Sequence, residues 1–202
     1  MKKSWFVALA LLASVGSANA ATNVALGAAV TNAGPGFAAW SSQWGSDSFA
    51  SLATVTDGVF VGNGQQWNLG TVFWNGASGG DASNTVTIAL QQDALLNSIT
   101  LQADNNDLYG VSYRDTSNVW HNLATIDPNT AGWGMASGSA TLGAPVVATA
   151  FQIKATGGDG YYSVAEFQAF GSVSAVPEPE TYDMLLAGIG LIAGVARRRL
   201  TN

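Results

Sequence analysis

The chain has 202 residues, a net charge of −6, no cysteine and one histidine. These features exclude a disulfide framework, a thiol nucleophile and a transition-metal site built from several histidines. From Ala21 to Ala175 there are ten acidic residues and only two strong bases, Arg114 and Lys154, which argues against nucleic acid as a partner. Such a segment suits a neutral ligand such as carbohydrate, or a calcium ion.

The first twenty residues have the features of a secretory signal peptide. Two lysines precede an apolar run from Trp5 to Val15, and the small residues Ala18 and Ala20 follow in the pattern that signal peptidase requires. We predict cleavage after Ala20, which makes Ala21 the first residue of the exported protein.

The segment from Ala21 to Ala175 is long enough for one domain and has the pattern of an all-β fold. Short runs alternate apolar and polar residues, as half-buried strands do, and turns rich in Gly, Asn, Asp and Pro separate them. The apolar positions of these runs are Val86, Ile88 and Leu90; Ile99, Leu101 and Ala103; Val111 and Tyr113; Phe151, Ile153 and Ala155; and Ala165, Phe167 and Ala169. This spacing predicts a sandwich or a barrel.

The order of these runs resembles the discoidin, or coagulation factor 5/8 type C, group of galactose-binding-like domains. The matching blocks are Asn23 to Thr31, Ala53 to Gly58 with Trp67, Tyr109 to Asp115 with Trp120, Phe151 to Ala155, and Val164 to Phe167. The family's cysteine pair is absent. The resemblance implies a jelly-roll β-sandwich in which Trp67 and Trp120 are buried.

The same resemblance implies a structural calcium ion. In many carbohydrate-binding relatives an Asp-Gly loop and a glutamate of the last strand share this ion, and the matching positions here are Asp57 and Glu166. Calcium binds six to eight hard oxygens, which carboxylates and loop carbonyls can supply. The alternative is that Asp57 only starts a turn and that Glu166 faces solvent.

The densest polar cluster of the segment has two interpretations. It is either a connection between strands built by Asx turns or a loop whose amides and carboxylates bind sugar hydroxyls. Its members are Asp104, Asn105, Asn106, Asp107 and Tyr109.

Tryptophans are numerous in this segment and could serve either the core or a ligand. Four of them lie among Gly and Ser residues, as loop residues do, and are candidates for stacking on sugar rings. They are Trp40, Trp44, Trp74 and Trp133.

The last residues of the chain consist of three parts in a fixed order. A Pro-containing motif, which the proline rings keep extended, precedes an uncharged run of thirteen residues from Met184 to Ala196. About 20 residues are expected to cross a bilayer, so this run is short. The cluster Arg197, Arg198 and Arg199 stops it and keeps that end cytoplasmic. The motif is Val176, Pro177, Glu178 and Pro179.

This tail resembles the PEP-CTERM sorting signal of Gram-negative bacteria, including an aromatic residue, Tyr182, soon after the motif. The resemblance implies transient insertion of the precursor in the inner membrane and processing by an exosortase, with the product at the cell surface or in the extracellular matrix. A buried terminal helix is the alternative.

These features predict three segments: a signal peptide (1–20), a discoidin-like β-sandwich (21–175) and a sorting signal (176–202). The predicted protein is exported and non-catalytic, and it binds extracellular polysaccharide in a biofilm matrix. The alternative is a secreted hydrolase of extracellular polysaccharide, although no acid–base pair stands out in the sequence.

Overall fold

The computed structural model describes residues 21–39, 48–129, 132–173, 186–189 and 197. The predictions for the signal peptide, for the motif 176–179, for Trp40 and Trp44, and for Arg198 and Arg199 concern residues outside these ranges. No helix in the described part of the chain is long and apolar enough to cross a bilayer.

The described residues between 21 and 173 form nine strands and one short 3₁₀ helix, which confirms the all-β prediction for this segment. Residues 186–189 are helical. The strands are β1 (Thr22–Asn23), β2 (Ala29–Ala33), β3 (Ser48–Phe49), β4 (Leu69–Asn75), β5 (Asp81–Asp104), β6 (Leu108–Arg114), β7 (Trp120–Ile126), β8 (Met135–Gly157) and β9 (Tyr161–Val173), and the 3₁₀ helix (Leu52–Thr56) lies between β3 and β4.

The two long strands, β5 and β8, pair antiparallel with each other and belong to both layers of a sandwich. Between Ala89 and Ala94 the β5–β8 register is irregular. Before this point β5 also pairs with β2, and after it β5 pairs with β9. Because strands change layers at such bends, one layer contains β2, β6 and β7 and the other contains β9, β4 and β3.

The core lies between these two layers. Residues of the first half of β5, such as Ile88, meet residues of its second half and of β9, such as Leu101 and Phe167, and all three are fully buried. Apart from Ala165 of β9, the predicted alternation therefore identifies the inward face of these strands correctly. Burial of this apolar surface is the main force that holds the layers together.

Ala165 does not face the main core, although the alternation in β9 predicts that it does. Gln102 pairs with Glu166, and the next residue, Ala103, pairs with Val164, so Ala165 is an extra residue in a β-bulge. It consequently lies in a second apolar cluster on the outer face of its layer, whereas Phe167 and Ala169 face the main core. That second cluster consists of Trp67, Phe73, Met135 and Ala165.

Two predictions about tryptophans are wrong. Trp74 is a residue of β4, not of a loop, and its side chain is fully buried against Tyr109 and Tyr162, so it cannot stack on a ligand. Trp120 was expected in the framework but is 39% exposed, because β7 is the last strand of its layer. Arg114 covers one face of its ring at 5.8 Å. Trp67 is buried, as predicted.

Candidate functional site

One end of the sandwich carries an open cavity of about 220 Å³, here called the Trp133 pocket. Four loops contribute to it: the segment before β4, the β5–β6 connection, the residues preceding β8, and the β8–β9 turn. Its lining residues are Gln66, Trp67, Asp104, Asn105, Asn106, Gly132, Trp133, Gly134 and Asp159.

The strand register brings these distant loops together. Asp104, the last residue of β5, pairs with Met135, the first residue of β8, so the loop after β5 lies beside Trp133. Leu108 pairs with Gly157, which places the β8–β9 turn beside Asn106. The predicted polar cluster and the predicted loop tryptophan therefore meet at one site.

Asn105 holds the Trp133 segment from both sides. Its side-chain Nδ2 donates to the Gly132 carbonyl at 2.7 Å, and its backbone N donates to the Gly134 carbonyl at 3.1 Å. Gly134 has φ +77°, and a Cβ there would collide with the Gln65 carbonyl. Because Asn105 is 7% exposed, it positions Trp133 more than it offers its own amide to a ligand.

The two tryptophans of the pocket differ in exposure and in function. Trp133 is 68% exposed, although it lies between backbone groups that are fixed by hydrogen bonds. Trp67 is 6% exposed and packs against Phe73 and Tyr161, with ring centroids 5.4 and 5.5 Å apart. Trp67 thus forms a rigid wall, and Trp133 presents a large apolar ring to solvent.

Three carboxylates lie at the pocket. Burial, together with the negative charge of Asp159, raises the pKa of Asp104 to about 7. Burial, followed by the charges of Asp104 and Asp159, raises the pKa of Asp107 to about 8. The charges are close enough that ionisation of one disfavours ionisation of the next.

Two of the predicted ligand-contacting residues have structural functions instead. Asp107 is 1% exposed and accepts hydrogen bonds from the Tyr109 hydroxyl at 3.1 Å and from the Asp159 backbone N at 3.3 Å. The fully buried Tyr109 hydroxyl in turn accepts a bond from Ser163 N at 3.1 Å. Since neither side chain reaches solvent, the prediction that Asp107 and Tyr109 contact a ligand is wrong.

Asn106 and Asp159 form the exposed rim of the pocket. Asn106 Nδ2 donates to Asp159 Oδ2 at 3.0 Å, and Asp159 Oδ1 accepts from the Tyr161 backbone N at 2.9 Å. The sequence reasoning missed Asp159 as a site residue because it interpreted the surrounding glycines only as a turn. It also missed Gln66, and it assigned Trp67 only to the framework.

The predicted calcium ligands lie at a separate position, on the outer face of the β9 layer. Glu166 is fully buried, and its Oε1 accepts from the Gly58 backbone N at 3.1 Å, while its Oε2 has no hydrogen-bond partner among the described residues. Burial, with a further contribution from the Asp57 charge, raises the pKa of Glu166 to about 7. The prediction that Glu166 could simply face solvent is therefore wrong.

These residues fit a hard cation in part. Asp57 Oδ1 accepts a hydrogen bond from Val59 N at 2.8 Å, as expected if Asp57 starts a turn. The negative charge of Asp57 also raises the pKa of Glu166, so the two carboxylates interact. An orphaned buried carboxylate oxygen beside a second carboxylate is the kind of ligand that calcium takes. No group of three or more His, Cys, Asp or Glu side chains suited to a metal occurs in the described residues, so carbonyl oxygens would have to complete the shell.

The comparison with protein families identifies the tail. Residues 175–199 match the PEP-CTERM protein-sorting motif, as the sequence pattern predicts. No curated protein matches the chain in sequence.

Solved structures that superpose on this chain include carbohydrate-binding modules. The family 32 module from Streptococcus pneumoniae EndoD superposes with a TM-score of 0.50 at 13% identity, covering 75% of this chain and 100% of that one. This similarity shows that the chain shares the β-sandwich fold of that module, as predicted.

Two further structures are similar at lower TM-scores. CpGH89CBM32-4 from Clostridium perfringens, solved in complex with GlcNAc-α-1,4-galactose, has a TM-score of 0.48 at 17% identity and covers 79% of this chain and 99% of that one. Chitosan-binding module 1 of a chitosanase/glucanase from Paenibacillus sp. IK-5 has a TM-score of 0.48 at 20% identity over 74% and 99%.

The raised pKa values of Asp104 and Asp107 near the pocket, and of Glu166 on the outer face of the β9 layer, predict a falling stability with rising pH. Above roughly pH 4 the unfolded chain has released protons that the folded protein keeps on Asp104 and Glu166 up to about pH 7 and on Asp107 up to about pH 8. The free energy of unfolding should therefore decrease through this window, by up to about 1.4 kcal/mol per pH unit for each proton. Urea unfolding followed by tryptophan fluorescence at several pH values measures it.

Asp107→Asn should reduce the slope of the free energy of unfolding against pH, because the asparagine side chain does not titrate. Asp93→Asn, which changes an exposed carboxylate at the bend of β5, is the matched control and should leave the slope unchanged. Equal slopes in the wild type and in Asp107→Asn would show that Asp107 is ionised in the folded protein.

Proposed function

We propose that this protein is an exported, non-catalytic carbohydrate-binding protein whose Trp133 pocket is the binding site. The observation that carries the proposal is the 68% exposed Trp133 ring, which lies beside carboxylate and amide groups at a cavity of about 220 Å³. Hydrogen bonds from Asn105 fix the backbone on both sides of Trp133. Sugar rings present an apolar face and several hydroxyls, and a site that combines an aromatic platform with polar groups matches both.

The fold supports this proposal without establishing it. A β-sandwich of this type hosts many functions, so the argument depends on the site. At the Trp133 pocket, the loops come from four places in the chain, and backbone hydrogen bonds fix them. A preformed site of this size accommodates one or two sugar residues, and we expect affinity in the micromolar to millimolar range, increased by multivalent presentation in a matrix.

Trp133→Ala should weaken binding to any glycan that the wild-type protein retains, by about fivefold or more, because the stacking surface is lost. A glycan array on the purified protein identifies the ligand, and titration calorimetry measures the change. Trp120→Ala removes an exposed indole from the opposite end of the β6–β7 hairpin and is the control. Undiminished binding by Trp133→Ala, or equal loss in both variants, would contradict the assignment.

A secreted hydrolase of extracellular polysaccharide is the second candidate. The observation in its favour is a pair of pocket carboxylates, Asp104 and Asp159, one of which has its pKa raised to about 7, as a general acid requires. Against it, both oxygens of Asp159 already accept hydrogen bonds from Asn106 and Tyr161. Release of reducing ends from a bound polysaccharide would favour the hydrolase.

We also propose that a calcium ion bound through Asp57 and Glu166 stabilises the sandwich. Glu166 would supply its orphaned Oε2, and the ion would neutralise two carboxylates that otherwise repel each other. When bound, the ion would tie the loop after the 3₁₀ helix to β9.

Calcium should raise the melting temperature of metal-free protein, since a ligand at 100 times its dissociation constant adds about 2.7 kcal/mol to stability. Asp57→Ala should abolish the shift, and Asp93→Asn should retain it. The calcium proposal fails if scanning calorimetry gives the same melting curve in excess calcium and in chelator.

The tail supports a proposal about destination. We infer that signal peptidase and an exosortase process the two ends of the precursor, that the C-terminal segment holds it transiently in the inner membrane of a Gram-negative bacterium, and that the mature protein reaches the surface or the biofilm matrix. The match to the sorting motif at residues 175–199 supports this route.

Changing Pro177 and Pro179 together to alanine should leave the precursor in the inner membrane, because the extended motif that the enzyme reads is lost. Cell fractionation and intact-mass measurement follow it, with Pro145→Ala in β8 as a control outside the motif. A double variant released in wild-type amount and mass would refute the sorting route.

A further inference from the structure

The strand register gives the sandwich two ends with different contents. β9 begins at Tyr161 beside the Trp133 pocket and, after 13 residues, ends at Val173, which pairs with Ala94 at the bend of β5. A strand of this length spans about 40 Å, so the bend lies at the end of the sandwich opposite the pocket. β1 pairs with the last part of β9, so the chain both enters and leaves the sandwich at this second end, here called the bend end.

The sorting tail leaves the sandwich from the bend end. Residues 175–199 match the sorting motif, and residues 174–183 separate Val173 from the apolar run that starts at Met184. A linker of about ten residues spans at most about 35 Å. While the apolar run is inserted in a bilayer, as proposed above, the bend end therefore stays close to the membrane surface and the Trp133 pocket is the remote end.

Exposed apolar side chains lie next to one another at the bend end. Leu95 and Val147 are both exposed, and they lie directly opposite each other in the β5–β8 ladder. Val173 is also exposed, and it pairs with Ala94, the residue before Leu95. Because water gains nothing from contact with these side chains, a partner that covers them is favoured.

The connection between β6 and β7 extends this apolar surface. Arg114 Nε donates to Thr149 Oγ1 at 3.0 Å, and the guanidinium covers one face of the Trp120 ring. Thr149 lies two residues after Val147 in β8, so the two side chains are on the same face of the strand. The neighbouring groups form one surface, here called the bend surface, which consists of Leu95, Arg114, Val119, Trp120, Val147 and Val173.

Asp115 holds the β6–β7 turn in place. Its Oδ1 accepts hydrogen bonds from the backbone N of Ser117 at 2.8 Å and of Val119 at 2.9 Å. Its Oδ2 lies 2.7 Å from His121 Nε2. Both oxygens of this carboxylate are used within the hairpin, so the exposed side chains of Val119 and Trp120 extend from a fixed turn.

The chemistry of the bend surface matches the headgroup region of a bilayer. An indole, which is apolar except for its N–H, prefers this region. A guanidinium such as that of Arg114 can bond to lipid phosphate while its stem lies along apolar groups. Aliphatic side chains add shallow apolar contact.

Charge favours the same orientation of the sandwich. Three carboxylates lie at or behind the Trp133 pocket, and no lysine, arginine or histidine is among its lining residues in the described part of the chain. The bend end has two carboxylates, Asp93 and Asp115, but it also has Arg114. Because an anionic bilayer repels the more acidic end, it turns the pocket away from the membrane.

We propose that the bend surface lies on the lipid headgroups while the precursor is anchored, so that the Trp133 pocket points away from the membrane and is open to glycan before release. The inference rests on the proposed insertion of the C-terminal segment. The short linker keeps the sandwich at the bilayer at an effective concentration on the order of millimolar, so a weak affinity for lipid is sufficient.

The test uses the chain from Ala21 to Asn202, reconstituted in vesicles of phosphatidylethanolamine with a minor fraction of phosphatidylglycerol. Because the chain has no cysteine, Thr116→Cys can carry a single polarity-sensitive fluorophore in the β6–β7 turn. Its emission should shift to shorter wavelength on reconstitution, and lipids with a spin-labelled headgroup should quench it. Thr125→Cys, an exposed position near the pocket end of β7, is the matched control and should keep an aqueous, unquenched emission.

A second pair of variants tests the surface itself. Leu95→Ser combined with Trp120→Ser should abolish the shift and the quenching of the Thr116 label, because the apolar contact is lost while the tail still anchors the chain. Leu108→Ser removes an exposed apolar side chain at the pocket end and should leave both signals unchanged. Circular dichroism checks that these surface variants are folded.

The outcomes separate this inference from the proposed insertion. A chain that does not float with the vesicles contradicts the insertion of the tail. A chain that floats while the Thr116 label remains as aqueous as the Thr125 label overturns the bend-surface inference alone, and so does an equal shift of both labels. Shielding of the Thr116 label only in membranes that contain the exosortase would assign the surface to the processing enzyme and would also overturn it.

Discussion

The antiparallel ladder between β5 and β8 is the constraint on which the rest of the structure depends. These two strands pair with each other on both sides of the bend at 89–94, so the same backbone hydrogen bonds connect both layers of the sandwich. The ladder also ends with Asp104 opposite Met135. That pairing places the β5–β6 loop against Trp133, and a shift of one residue would turn the core side chains outward as well as separate the pocket loops.

Polar side chains fix the loops of the pocket by hydrogen bonds, and this arrangement brings several carboxylates close together. Asn105 fixes the segment that carries Trp133, and Asp107 fixes the β8–β9 turn through Asp159 N and Tyr109. Gly158 permits this contact, because φ is +135° there and a Cβ would collide with Asp107. The cost is the concentration of carboxylates in a partly buried space, which raises the pKa values of Asp104 and Asp107.

Much of the fold could be predicted from the sequence because strands with one buried face alternate visibly, as in Val86 and Ile88. The prediction fails where both faces of a strand are covered. In β4, Trp74 faces the core and Phe73 faces the outer cluster. Because both side chains are apolar, the sequence of β4 shows no alternation of apolar and polar residues. The sequence pattern therefore predicts a loop at Trp74 and not a strand. Part of the site could also be predicted, since Trp133, Asp104 and Asn106 line the pocket. The contribution of Asp159 could not, because it depends on the pairing of Leu108 with Gly157, and no local sequence pattern encodes that pairing.

The measurement that tests the central claim most directly is the nuclear magnetic resonance signal of each tryptophan indole N–H in isotope-labelled protein, titrated with the glycan that binds on the array. If the Trp133 pocket is the binding site, the Trp133 signal shifts progressively to saturation. The signals of Trp74 in the core and of Trp120 at the far end of the β6–β7 hairpin should stay in place. A saturable shift at Trp120 with an unmoved Trp133 signal would contradict the account.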